Sequence, residues 1–107
     1  MTWPRDADGD VFRRLQTRNF DFDVLHKIDF QIDFDTWPPS DKAVALLKRT
    51  FADVDICDPE ADSAGYIEVS IVDRLTYEFV TGAQANISRL LTAFGGRCEA
   101  WGVLGDK

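Results

Sequence analysis

Between His26 and Phe34 the chain reads HKIDFQIDF, an alternation without a slip. Ile28, Phe30, Ile32 and Phe34 fall on one face, and Lys27, Asp29, Gln31 and Asp33 on the other, which is the period of a half-buried β-strand. Burying those apolar side chains contributes roughly 6 to 12 kcal/mol before the entropy of ordering is subtracted, so whatever packs on that face is the core. The polar face is then the first place to look for function.

The flanking sequence supplies partners for this strand. Asp6, Asp8 and Asp10 precede Val11, Phe12 and Leu15 on one helical face, and Arg13, Arg14 and Arg18 follow, a charge order that suits the helix dipole and predicts a helix from about Asp8 to Arg18. The DADGD stretch also invites a calcium-loop reading. An EF-hand needs its glycine sixth and its glutamate twelfth, whereas Gly9 is fourth and Thr17 twelfth, so a helix N-terminus is the better account. Asn19 to Leu25 is a connection whose Phe20 and Phe22 dip towards the core. After the strand, Pro38 and Pro39 forbid further ladder bonding and Ser40 is placed to cap a second helix carrying Ala43, Leu46, Leu47 and Phe51.

Val54 and Ile56 alternate with Asp53 and Asp55 in a short second strand ending at Cys57. Pro59 and Gly65 mark a loop. Tyr66 to Val72 is a third strand, with Ile67, Val69 and Ile71 on its apolar side. Two helix starts compete after Asp73, Thr76 as N-cap or Thr81 with Gln84 as a capping box, and Thr76 is preferred. Val80, Ala83, Ile87, Leu90, Leu91 and Phe94 form the stripe of this helix, Gly95-Gly96 its stop, and Arg97 to Leu104 a last strand.

Leaving the first helix aside, the order is βαββαβ, so the predicted class is α+β: a ferredoxin-like sandwich with an extra N-terminal helix and a four-stranded antiparallel sheet. Two right-handed crossovers put the first and third strands in the middle and the second and fourth at the edges. Cys57 and Cys98 then sit on opposite edges, roughly 14 Å apart at three strand spacings, beyond disulfide reach. Two free thiols are expected.

At 107 residues, 45% of them hydrophobic, the chain has the length and apolar content of one domain, read as residues 1–107. Nineteen acids against twelve Lys and Arg leave a formal charge of −7, which argues against nucleic acid as a direct ligand and suits a basic protein partner. No apolar run approaches a signal sequence or membrane span, and two cysteines are too few for a disulfide scaffold, so the expected setting is cytoplasmic with no membrane contact.

The sheet face away from the crossover helices collects Lys27, Asp29, Gln31 and Asp33, then Tyr66, Glu68 and Ser70, then Asp53 and Asp55. If Cys98 and Ala100 point inwards, Glu99 and Trp101 join them. The candidate partner-binding residues are Asp29, Asp33, Tyr66, Glu68, Glu99 and Trp101, an acidic surface with aromatics that suits an arginine-bearing partner. Two bland alternatives stand beside it: a merely solvated face, common in antiparallel sheets, and cover by the first helix.

Catalysis has little support. His26 is the only histidine and stands at a strand entrance, Cys98 has only Arg97 near it to activate a thiol, and no glycine-rich phosphate loop is present. Asp29 and Asp33 lie about 13 Å apart along a strand, too far to share a metal ion. Neither a cofactor nor a metal is expected, and the chain is read as no enzyme.

DADGD, HKIDFQIDF, WPPSD, CDP and CEAWGVL, taken in this order over about 100 residues, resemble the regulator of ribonuclease E activity B (RraB) family, with Trp101-Gly102 and the spacing from Phe94 the most diagnostic part. The resemblance implies a ferredoxin-like fold with an added N-terminal helix and a non-catalytic protein that binds the ribonuclease E scaffold and inhibits RNA processing. The best-known members carry a long acidic C-terminal extension, whereas this chain stops at Lys107, so it is read as a short single-domain member. An immunity-type inhibitor of a toxin, a small metal-dependent enzyme and a homodimer joined through an edge strand or the open face are the alternatives.

Overall fold

The computed structural model describes residues 3–103. Its elements are α1 (Ala7–Thr17), β1 (Leu25–Phe34), α2 (Asp41–Thr50), β2 (Asp53–Cys57), β3 (Tyr66–Arg74), α3 (Tyr77–Leu91), a 3₁₀ turn (Thr92–Phe94) and β4 (Gly96–Val103). The sheet order is β2-β3-β1-β4 and every neighbouring pair is antiparallel. This is the α+β arrangement that the βαββαβ order dictates, with β1 and β3 central. Cys57 and Cys98 fall on the two edges, each as a free thiol. The expected end of the last strand at Leu104 lies outside the described residues.

Local chemistry sets the helix ends. The Ser40 hydroxyl accepts from the Ala43 N–H at 3.2 Å, and the Thr76 hydroxyl from the Phe79 N–H at 3.0 Å, so Thr76 is the start of α3. The stop is Gly95, whose φ of 72° is a left-handed conformation that glycine adopts without strain. Gly82, inside α3, faces open space: an added Cβ meets nothing within 4 Å. Gly82→Ala is therefore expected to stabilise the protein by about 1 kcal/mol in urea unfolding, and a destabilised variant would show that the position has a role beyond the helix.

The core lies between the sheet and the helices. Ile28, Phe30, Ile32, Ile67 and Val69 from the sheet meet Ala43 and Leu47 from α2, Val80, Ile87 and Leu91 from α3, and Phe12 and Leu15 from α1 in one buried cluster. The apolar face of HKIDFQIDF is thus the centre of the core.

α1 joins the helix side and does not cover the open sheet face. Phe12 packs against Tyr77 of α3 and Trp101 of β4, with ring centroids 6.2 and 5.6 Å apart. The DADGD acids hold it there. Asp6 caps the helix, accepting from the Gly9 N–H at 2.7 Å and from the Tyr77 hydroxyl at 2.5 Å. Asp8 accepts from the Trp101 indole at 2.8 Å and from Gln84 at 3.2 Å. Gly9 packs so tightly on the chain lead that a Cβ would stand 1.9 Å from the Pro4 carbonyl oxygen. A calcium loop needs these carboxylates turned towards one ion, whereas here two of them accept from α3 and β4.

The Asp6–Tyr77 bond has a pH signature. The Tyr77 hydroxyl, then the Gly9 amide, hold the Asp6 carboxyl below its ordinary 3.8, and the same bond pushes the Tyr77 phenol up to about 12. A lowered carboxyl stabilises the fold above its unfolded pKa, and that contribution is lost as pH falls through the lowered value. A raised phenol stabilises below pH 10, and its contribution is lost as pH rises towards about 12. The stability difference between wild type and Tyr77→Phe should be level between about pH 5 and 9 and shrink on both sides. A difference that does not change with pH would remove the bond from the account.

Candidate functional site

The outward residues of the sheet form a grid set by strand register. Asp53, Ser70, Asp29 and Gly102 make one row, and Asp55, Glu68, Gln31 and Ala100 the next. Cys57 and Tyr66 pair in the row beyond, and Asp33 pairs with Arg97 at the same end of β1. Four of the expected residues, Asp29, Asp33, Tyr66 and Glu68, therefore share this open face, each half-buried among its neighbours.

Trp101 does not. In β4, Ala100 pairs with Gln31 but Cys98 pairs with Ile32, so Glu99 is an extra residue in a β-bulge. The bulge resets the alternation: Cys98, Trp101 and Val103 turn to the core side and Ala100 and Gly102 outwards. Trp101 pairs with Phe30 and bonds Asp8, in the aromatic group around Phe12. The condition that placed it outside, Ala100 pointing inwards, is not met. Glu99 is exposed at the bulge, where its carboxylate meets Arg97 Nε at 3.0 Å.

Several contacts pre-organise the face. Ser70 donates to Asp29 at 2.6 Å, Gln31 to Asp33 at 3.3 Å, and Lys27 stands 3.6 Å from Asp53. A side-chain hydrogen bond with Cys57 is the main reason the Tyr66 phenol titrates above 10, and the nearby charges of Glu68 and Asp55 add to it. Asp55 stands directly opposite Glu68. Like charges facing each other across two strands repel.

Two parts of the face escaped the alternation argument. Arg97 lies on it beside Asp33, held to Asp35 at 2.6 Å, whose hydrogen bond and charge keep it firmly protonated. The far end is apolar, with Leu25 64% and Val72 63% exposed beside Lys27 and Arg74. Val72 was visible as an outward residue of the third strand, but the register that brings Leu25 beside it was not.

His26 is engaged by its own connection, and Cys98 lies in the core. His26 Nε2 lies 2.6 Å from the Asp21 carbonyl oxygen, an acceptor, so that nitrogen carries the proton, and the ring stacks on Phe20. Burial pushes the Cys98 thiol up to about 12, which suits a core residue and opposes nucleophilic use. Among the described residues no group of three or more His, Cys, Asp or Glu side chains could hold a metal ion. None of the described helices is long and apolar enough to cross a membrane.

The family model described as regulator of ribonuclease activity B, RraB, matches residues 5–103 of the 107. No curated protein and no solved structure matches the chain. Since the match runs from the lead before α1 to the end of β4, the chain belongs to the RraB family of regulators of ribonuclease activity.

Proposed function

We propose that residues 1–107 act as one non-catalytic regulatory unit that binds a basic protein segment on the open sheet face and thereby inhibits a ribonuclease, with ribonuclease E or a related RNA-processing complex as the target. The carrying observation is the gathering of Asp29, Asp33, Asp53, Asp55 and Glu68 on one face that none of the described helices covers, with Asp55 directly opposite Glu68. An arginine-rich segment supplies planar cations that bridge such carboxylates, and Tyr66 offers a ring for a guanidinium to stack on. The charge of −7 favours encounter with a basic protein and opposes direct contact with RNA. Two unpaired cysteines suit a cytoplasmic setting.

The test is co-elution of the purified protein with an arginine-rich segment of ribonuclease E, followed by affinity measurements at rising salt. Binding should weaken steeply as the screening length falls from about 10 Å at 0.1 M to about 3 Å at 1 M. RNA cleavage by the enzyme should slow in step with occupancy. Absence of a complex at low salt, or a complex indifferent to salt, would sink the acidic-face reading.

A further inference from the structure

The two edges of the sheet are finished differently. β4 is closed to further strands: the bulge at Glu99 breaks its regularity, and the Ser88 hydroxyl of α3 bonds both the N–H and the C=O of Cys98, at 2.9 and 3.3 Å. β2 pairs with β3 in unbroken register from Asp53 to Cys57 and has no strand on its outer side among the described residues. Its outward side chains are Asp53, Asp55 and Cys57, the first two of them acidic. Its helix-side chains are apolar, Val54 and Ile56, and Ile56 is 43% exposed although it faces the core layer. Beside Ile56 lies a groove of about 420 Å³ with Trp37, Pro38, Val44, Lys48 and Asp58 among its walls.

We propose that β2 is an acceptor edge for β-strand addition, and that its occupant is an extended partner segment of alternating basic and apolar residues. The inference rests on the basic-partner reading above and specifies how that partner is held. A strand laid beside β2 sends alternate side chains to opposite faces. One set comes over the open face next to Asp53 and Asp55, where arginine or lysine is matched in charge. The other set enters the groove at Ile56, where an aliphatic side chain fits. A second copy of this chain is the wrong occupant, because two β2 edges would bring Asp53 and Asp55 against one another. Acidic edge residues thus repel the protein's own kind and admit a strand of opposite sign.

The probe is an acetylated, amidated peptide of nine residues alternating arginine and valine, titrated into the full chain and followed by amide resonances and hydrogen exchange. Amides within Asp53–Cys57 should shift and exchange more slowly while those of Gly96–Val103 stay unchanged. Only alternate residues of an added strand bond its neighbour. Methylating the backbone nitrogens of one alternate set should therefore weaken binding at least about tenfold, and methylating the other set should change it by less than about twofold. Ile56→Asp should weaken binding about tenfold with unchanged circular dichroism. If both methylated peptides bind alike, or β4 is protected in place of β2, strand addition is wrong while salt-dependent binding to the acidic face stands. If neither this peptide nor the arginine-rich ribonuclease E segment binds, both proposals fall.

Discussion

Phe12→Ala is expected to lower the free energy of unfolding by about 3–5 kcal/mol, the cost of removing a buried aromatic side chain from a site that cannot collapse around the gap. Phe12 is 1% exposed, and the rings of Trp3, Trp101, Phe22 and Tyr77 stand around it at 5.4, 5.6, 5.9 and 6.2 Å. Those partners come from the chain lead, β4, the α1–β1 connection and α3, so one truncation loosens four segments. Urea unfolding by circular dichroism gives the number, and a midpoint temperature more than about 10 °C lower should accompany it. The slope of the urea transition carries a second reading. If α1 merely peels away, the remaining transition exposes less surface and the slope falls; if α1 belongs to the cooperative unit, the slope is kept. A loss below about 1 kcal/mol would mean that α1 adds little to the fold.

Reversing two charges on the open face should have the largest effect on binding. Asp29→Lys with Glu68→Lys is expected to weaken the complex with a basic segment by about 10- to 100-fold, chiefly through slower association, and to flatten its salt dependence. The fold should survive. Both residues face outwards, and at Asp29 the change removes the Ser70–Asp29 hydrogen bond, worth about 0.5–1.5 kcal/mol. Because the change also moves the net charge, a matched reversal away from both the open face and the β2 groove, Asp21→Lys with Glu78→Lys, is the control. It should leave binding within a few-fold. Equal losses from the two pairs would mean that overall charge, and not this face, governs the encounter.

How far the sequence could be read depends on where each signal resides. β1 was legible because its alternation is unbroken and both its faces differ in chemistry. The starts of α2 and α3 were legible because Ser40 and Thr76 act on amides three residues away. Sheet order followed from connection rules that apply to any βαββαβ chain. The phase of β4 was not legible: Cys98, Ala100, Trp101 and Val103 satisfy an inward reading in either of two registers, and hydrophobicity alone cannot place a bulge between them. Nor was the work of the DADGD acids. Their charge order announced a helix start, but Asp6 and Asp8 accept hydrogen bonds from Tyr77, Gln84 and Trp101, partners that only the folded chain brings near. The same holds for Arg97 on the acidic face, since its neighbours Asp33 and Asp35 lie on the far side of α2 and α3 in the sequence.

The bulge at Glu99 acts as a phase switch within one strand. N-terminal to it, β4 sends Cys98 inwards on one count; C-terminal to it, Trp101 and Val103 turn inwards on a count advanced by one. Without that extra residue Ala100 and Gly102 would face the helices, and the indole that receives α1 would point to solvent. Attachment of the additional helix at one end of the chain is therefore decided by residue parity near the other end. Insertions or deletions of a single residue between Cys98 and Trp101 should be far less tolerated than substitutions at the same positions, an indel sensitivity unusual for an edge strand and traceable to this one irregularity.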